Sequence, residues 1–154
     1  MPAMRWVLLL VVVVASAAIA AWLLSPATSQ AAPPAVSPAV AGPELGQRIY
    51  ARCQACHGVG GLGVSGMTPG LAGNPRVVGD PRPLIRVVLH GLRGGAKMPM
   101  VGFAQQLSDA EIAAVLTYVR QTWGNAGSPV EPAAVTAERA ASHSGQWTAA
   151  ELGW

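Results

Sequence analysis

The pattern of hydrophobic and polar positions begins with an uninterrupted apolar run. It extends from Trp6 to Leu24 and contains 19 residues without a charge. At 1.5 Å per residue a helix of this length spans about 28 Å, close to the roughly 30 Å hydrocarbon core of a bilayer. Trp6 and Trp22 lie near its two ends, where indoles favour the membrane interface. Residues 1–24 are therefore predicted to form a transmembrane helix.

A cleaved signal peptide is the alternative interpretation of this run. Its apolar region would be about 7–15 residues long and would end at small residues, such as those of 29–32. Both interpretations give one topology, because Arg5 precedes the run and the next positive charge is Arg48. The positive-inside rule then exports everything after residue 24. We expect an inner-membrane protein whose folded domain lies on the periplasmic side.

Two segments of biased composition flank the presumed domain. Residues 25–43 contain five prolines among Ala, Ser and Val, which favours an extended linker. Residues 126–154 are a C-terminal extension rich in Ala, Ser and Pro, in which 136–141 indicates a helical turn and 148–151 resembles a weaker helix cap. Trp147 and Trp154 in this extension either lie exposed or dock on a partner subunit, since aromatic residues are enriched at interfaces.

Between these segments, residues 44–125 have helical periodicity, and no run alternates as a strand would. A first helix is predicted at 43–55, where Gly46 indicates a close approach of another backbone. A second helix begins at Asp80 as its N-cap and ends before Gly91. Its final residue is His90, which suits the negative end of a helix dipole.

The last helix has the clearest signals. Ser108 and Glu111 form a capping box, and an apolar stripe continues to Trp123 before Gly124 ends the helix. Residues 58–73 form a glycine-rich loop without the preceding strand or the Gly-Lys-Ser/Thr sequence of a phosphate-binding loop. The predicted fold class is all-α, with three or four short helices.

Composition restricts the function classes. Hydrophobic residues make up 51% of the 154 residues and charged residues 11%, with a net charge of +3. This excludes disorder of the whole chain, and two cysteines exclude a disulfide-stapled framework. No cluster of Lys and Arg indicates a nucleic-acid partner.

The informative motif is Cys53-Gln54-Ala55-Cys56-His57. A CxxCH sequence is typical of covalent haem attachment, in which the two sulfurs bond the haem and the histidine reaches the iron from the same side. A disulfide is the alternative on the oxidising side of the membrane. A zinc site is a further alternative, although structural zinc takes four ligands and only three candidates cluster here.

A haem iron in an electron carrier needs a second axial ligand, and methionine at that position raises the reduction potential. Met98 and Met100 lie beside Pro and Gly in a loop before the last helix, where they are less typical of simple core filling. Met67 is a weaker candidate because it follows His57 by ten residues. His90 would serve only if both axial ligands were histidine.

With these motifs, residues 44–125 resemble the class I, monohaem c-type cytochromes. The stretch from Leu107 to Asn125 is most similar to the membrane-anchored cytochrome domains that accompany bacterial periplasmic dehydrogenases. The resemblance implies a small fold of helices around one covalent haem c. It also implies that Gly46 and Tyr50 mark where the first helix crosses the last near Tyr118.

The resemblance further assigns roles around the haem. The Pro69 carbonyl would accept the second imidazole N–H of His57 and fix the ring, as outer-shell partners of metal-bound histidines do. Leu71 would pack on the haem face. The family spacing before Leu107 favours Met100 as the distal ligand, while the proline after Met98 keeps that residue as the alternative.

The expected function is one-electron transfer with no bond-making catalysis. A dehydrogenase partner would supply electrons, and a quinone-linked complex or terminal oxidase would accept them. The alternative function is that of a haem enzyme, or of a gas or ligand sensor, with an open distal site. The loop with Met98 and Met100 argues against an open site. Arg93 and Lys97 beside that loop are candidates for pairing with haem propionates or for steering toward an acidic partner.

Overall fold

A computed structural model describes residues 43–141 and 143–154. The predicted transmembrane segment 1–24 and the predicted linker, apart from Pro43, lie outside the described residues. Within the described part of the chain, no helix combines the length and the apolar character needed to cross a membrane.

The described residues form a predominantly helical fold with six helices and three short strands. The helices are α1 Pro43–Tyr50, α2 Gln54–His57, α3 Pro75–Val78, α4 Pro81–His90, α5 Asp109–Gln121 and α6 Pro132–Ala140, and the strands are β1 Gly91–Arg93, β2 Met100–Val101 and β3 Trp147–Thr148.

The crossing of α1 and α5 organises the fold, as predicted from Gly46. A Cβ added at Gly46 would lie 2.3 Å from the carbonyl oxygen of Ala114 and 2.6 Å from Cβ of Tyr118. Only glycine therefore allows the two backbones to approach so closely. One turn later Tyr50 is fully buried and packs on Tyr118, with ring centroids 5.5 Å apart.

The caps of the two longer helices are confirmed. The Asp80 side chain accepts a hydrogen bond from the backbone N–H of Arg82 at 3.0 Å. The predicted capping box of Ser108 and Glu111 is present in both directions. Helix α5 ends at Gln121, two residues earlier than Trp123, which has a left-handed φ of 57°.

The predicted first helix is shorter than expected. It ends at Tyr50, and α2 restarts at Gln54, because tight hydrogen bonds join Arg52 N to Ile49 O (3.0 Å) and Cys53 N to Tyr50 O (2.8 Å). Helix α3 was not predicted, and α6 begins four residues before the expected turn at 136–141 and ends at Ala140.

The prediction of an exclusively helical fold is corrected by a three-stranded sheet in the order β2-β1-β3. Strand β1 pairs antiparallel with β2 and parallel with β3. Strands of two or three residues are too short to show alternation, and β3 lies more than fifty residues from its partner. The helical part of the prediction stands.

The C-terminal extension packs on the domain rather than leaving it. Arg139 of α6 donates to a carboxylate oxygen of Asp109 at 2.6 Å and to the carbonyl oxygens of Ala104 and Leu107 at 2.6 and 2.9 Å. Trp147 and Trp154 are both half-buried within the chain. Neither exposure to solvent nor docking on a partner subunit, the two expectations for these residues, anticipated this packing.

Arg120 is a buried hub that nothing in the sequence pattern indicates. Its side chain is 1% exposed and donates to the carbonyl oxygens of Val77 (2.6 Å), Gly79 (2.9 Å) and Ser128 (2.8 Å). These bonds tie the segment around α3 to α5 and to the start of the extension.

Candidate functional site

A cavity of about 450 Å³ lies between α1, α4, α5 and the loops that join them. Its volume is in the range of about 300–1,000 Å³ that is typical of small-molecule and cofactor sites. Arg52 and Arg76 are the permanently charged side chains among its lining residues. Most of the wall is apolar: Ile49, Leu71, Leu84, Val87, Val88, Leu92, Phe103, Leu107, Val115, Leu116 and Val119.

The CxxCH motif lies at one side of this cavity. Cys53, Cys56 and His57 all line it. The carbonyl oxygen of Cys53 accepts from the backbone N–H groups of Cys56 and His57 at 3.2 and 2.9 Å, so one helical turn holds the three residues. Cys53 and Cys56 are not joined in a disulfide.

The predicted hydrogen bond between His57 and Pro69 is present. Nδ1 of His57 lies 3.2 Å from the Pro69 carbonyl oxygen, and since a carbonyl only accepts, Nδ1 is the protonated nitrogen. Burial lowers the pKa of His57, although the bond to Pro69 opposes that shift. The ring is thus held neutral, with the lone pair of Nε2 available to a metal.

The glycine-rich loop brings Pro69 to His57. Gly63 has a left-handed φ of 69° and donates from its backbone N–H to the His57 carbonyl oxygen at 2.8 Å. A Cβ at Gly63 would lie 2.5 Å from the Thr68 carbonyl oxygen and 2.7 Å from that of Pro69. Leu71 donates to the Gly61 carbonyl oxygen at 2.6 Å and reaches the cavity wall.

Tyr50 fastens the end of the motif to the helix crossing. Its hydroxyl donates to the Gly58 carbonyl oxygen at 2.7 Å. Burial, followed by the nearby Cys53 and Tyr118, raises the pKa of Tyr50 to about 12, so the hydroxyl remains a donor at neutral pH. Trp123 packs on the same ring at 4.9 Å between centroids.

Met98 and Met100 line the cavity, whereas Met67 does not. Met100 is half-buried in β2 and pairs with Leu92 of β1. Met98 is 41% exposed in the preceding loop, where its backbone N–H donates to the Met67 carbonyl oxygen at 3.3 Å. Of the two, Met100 has the more firmly fixed backbone.

Several other candidates stand outside the cavity wall. Arg93, Lys97 and His90 are absent from its lining, while Arg52 and Arg76 take the positions where carboxylates of a bound group could be neutralised. The C-terminal extension contributes Ala149 and Trp154 to the wall, which nothing in the sequence indicated. Arg76 lies 5.5 Å above the Trp154 ring.

Comparison with known proteins identifies the family. The model of the cytochrome c family matches residues 43–123. The chain belongs to the cytochrome c family. Cytochrome c-552 of Thermus thermophilus is 40% identical over 92 residues, which cover 53% of this chain and 70% of that protein.

Two dehydrogenase subunits are similar over more of the chain. The cytochrome c subunit of the quinone-dependent alcohol dehydrogenase of Gluconacetobacter polyoxogenes is 38% identical over 116 residues, 66% of this chain. That of gluconate 2-dehydrogenase from Pantoea cypripedii is 36% identical over 108 residues, 64% of this chain. The chain spans only 24% of the length of either subunit.

Family membership makes covalently attached haem c the cofactor, and the cavity suits it. An apolar space of ligand-binding size has a cysteine pair and a neutral imidazole at one side and two thioethers in its wall. Within residues 43–141 and 143–154, no group of three or more His, Cys, Asp or Glu could hold a metal ion. The described residues thus offer no four-ligand zinc site.

Proposed function

We propose that this electron-transfer cytochrome c works as a membrane-tethered, periplasmic one-electron carrier that receives electrons from a dehydrogenase. The observation that carries the electron-transfer role is one apolar cavity with a neutral imidazole and a thioether among its lining residues. Met/His ligation is typical of cytochromes that transfer electrons.

The proposed ligand set uses four of the residues that line the cavity. Cys53 and Cys56 would attach the haem, and His57 and Met100 would bind its iron, with Met98 as the alternative to Met100. The tautomer of His57 supports its role, because the proton on Nδ1 leaves Nε2 to bind the metal. The strand position of Met100 supports its choice over the more exposed Met98.

When bound, the haem supplies the Fe(II)/Fe(III) couple through which one electron passes at a time. The protein's part is to hold the ligands still and to keep water away. Pro69 fixes the His57 ring, Leu71 and the apolar wall exclude water, and Arg52 and Arg76 offer positive charge to the propionates. Rigid ligands and low polarity limit the reorganisation that accompanies electron transfer.

The partner and the location are supported by different observations. Relatives named as dehydrogenase cytochrome c subunits support a dehydrogenase donor. The apolar run 6–24 supports the inner-membrane tether and a periplasmic domain. Membrane fractionation of the full chain, followed by co-purification of the bound dehydrogenase, tests both; recovery only from the soluble fraction would reject the tether.

The ligand assignment is tested with the pair Met100→Ala and Met98→Ala in the haem-loaded full chain. We expect Met100→Ala alone to lose the methionine-to-iron absorption band, because only this variant removes a ligand. Loss of the band in Met98→Ala alone would instead make Met98 the ligand. A wild-type protein that is high-spin, five-coordinate and readily binds CO would reject the electron carrier in favour of an enzyme or sensor.

A further inference from the structure

The strand that holds Met100 is fastened from the C-terminal extension. The side-chain amide Nε2 of Gln146 donates to the carbonyl oxygen of Met100 at 2.7 Å. Gln146 is half-buried and lies 46 residues away in sequence. It also lies beyond residue 123, where the match to the cytochrome c family ends. This contact therefore belongs to a part of the chain outside that family match.

The sheet explains how Gln146 reaches Met100. Strand β1 lies between β2 and β3, and Leu92 pairs with Met100 on one side and with Trp147 on the other. Continuing the parallel register places Gln146 beside Gly91. Its side chain thus passes over the central strand at a glycine and bonds the far strand directly.

Gly91 is the residue that makes this passage possible. Its φ is 88°, a backbone conformation that residues with a side chain rarely adopt. A Cβ there would lie 2.4 Å from the Met100 carbonyl oxygen and 3.0 Å from Nε2 of Gln146. The amide of Gln146 and the carbonyl of Met100 occupy the space that a side chain at position 91 would fill.

The segment carrying Gln146 is itself anchored. Thr148 and Glu151 cap a turn reciprocally, with the Thr148 N–H donating to the Glu151 carboxylate at 2.7 Å. The Trp154 N–H then donates to the Ala149 carbonyl oxygen at 2.8 Å, and the indole returns to the cavity wall. Gln146 therefore bonds Met100 from a fixed position rather than from a mobile tail.

We infer that Gln146 is a positioning residue for the distal axial ligand: its amide holds the Met100 backbone so that the thioether stays directed toward the iron. This role rests on the proposed assignment of Met100 as a ligand. An external ligand such as imidazole binds the iron only when Met100 has left it. Its apparent affinity is therefore proportional to the open fraction of the Met100 segment.

The test measures imidazole binding to the ferric, haem-loaded full chain. Gln146→Ala removes the bond, and Gln146→Glu keeps the size of the side chain while replacing the N–H donor by an oxygen. Losing one hydrogen bond from the closed form should increase imidazole affinity about fivefold in both variants. Either variant suffices if the other yields no haem-loaded protein.

Gln121→Ala is the matched control. The Gln121 amide also donates to a backbone carbonyl, that of Gly127 at 3.4 Å, but Gln121 is outside the cavity lining. We expect its imidazole affinity to equal that of the wild type. Unchanged affinity in the Gln146 variants, or an equal increase in Gln121→Ala, would overturn the positioning role.

The failure of this inference and that of the ligand assignment give different results. If Met100→Ala loses the methionine band while both Gln146 variants bind imidazole as the wild type does, Met100 remains the ligand and only the role of Gln146 falls. If Met98→Ala alone loses the band, the assignment of Met100 falls and the role of Gln146 falls with it.

Discussion

The two sides of the cavity are built in different ways. On the proximal side, His57 is held by Pro69, twelve residues away, and by Gly63, six residues away. On the distal side, Met100 is held by Leu92 in β1 and by Gln146, 46 residues away. One side is a folded local motif, and the other is a strand fixed both by its neighbour β1 and by the distant C-terminal extension.

This difference determines what each side depends on. On the proximal side, the two hydrogen bonds that hold His57 lie within residues 53–71. The distal strand also needs α4, whose Val88 carbonyl oxygen accepts from Phe103 N at 2.8 Å, and it needs the C-terminal extension. Glycines on the two sides offer matched ways to compare them, because each side has both crowded and open glycines with positive φ.

The largest effect is expected from Gly63→Ala on the proximal side. The new Cβ would meet the Thr68 and Pro69 carbonyl groups, in addition to the left-handed φ of 69°. Overpacking and backbone strain together should reduce the free energy of unfolding by about 3 kcal/mol. Denaturant unfolding of the haem-loaded protein measures this loss.

Gly66→Ala is the control for the backbone term alone. Gly66 has a φ of 71°, yet nothing lies within 4 Å of its added Cβ. We expect a loss of only about 1 kcal/mol, the cost of the left-handed conformation. Equal losses in Gly63→Ala and Gly66→Ala would show that the close contact with the Pro69 carbonyl carries no weight.

A smaller global effect, with a larger spectroscopic one, is expected from Gly91→Ala on the distal side. Its Cβ would displace the Met100 carbonyl, but β2 is an edge strand and can move away. We expect a loss of about 2 kcal/mol in unfolding free energy, together with weakening of the methionine-to-iron band. Absorption spectra and denaturant unfolding of one sample measure both quantities.

Gly94→Ala provides the distal control. Gly94 has a φ of 74° and open space around its added Cβ. This variant should keep the methionine band at wild-type strength. If Gly91→Ala also kept the band, the distal side would be as tolerant as an ordinary loop, and the contrast between the two sides would disappear.

The same contrast explains what the sequence could predict. The CxxCH spacing places the two cysteines and the histidine on one helical turn. The role of Pro69 came from its distance to His57 along the chain, which matches the spacing in the family. Gly46 predicted the helix crossing, and Ser108 with Glu111 predicted the start of α5. Each of these signals lies within a few residues of the feature it describes or is carried by a family motif.

Several of the features that were missed depend on distant partners. Strand β3 exists because its backbone pairs with β1, which no local pattern of Trp147 and Thr148 encodes. Arg120 looks like a surface residue in a helix until its carbonyl acceptors around α3 are known. The inward packing of Trp154 likewise depends on the turn that follows β3. Propensity and periodicity carry no information about such contacts.

The smallest predicted effect is a pH dependence on the distal side. His90 ends α4, and its ring meets that of His143 in the extension, with centroids 5.6 Å apart. Nε2 of each ring is buried without a hydrogen-bond partner in the described structure. Burial, with the nearby His143 and Arg139, lowers the pKa of His90. Protonation is thus less favourable in the folded state than in the unfolded state.

The sign of the effect follows from proton linkage. Below the unfolded histidine pKa of about 6.5 the unfolded chain binds the extra proton, so the contribution of His90 is complete above that pH and is lost as pH falls. The carboxyl groups with lowered pKa values, such as Asp109 and Glu111, act in a separate window below their ordinary values near 4. Between pH 7 and pH 5 histidine therefore dominates.

His90→Gln isolates this contribution, because His57 is present in both proteins and cancels in the difference. We expect the free energy of unfolding of the wild type to fall more steeply from pH 7 to pH 5 than that of the variant. Parallel pH profiles would mean that His90 gains and loses its proton equally in the folded and unfolded states. The stability of the junction between α4 and the extension would then not depend on the protonation of His90. Only the long-range contacts of Gln146 and β3 would then distinguish the distal side from the proximal side.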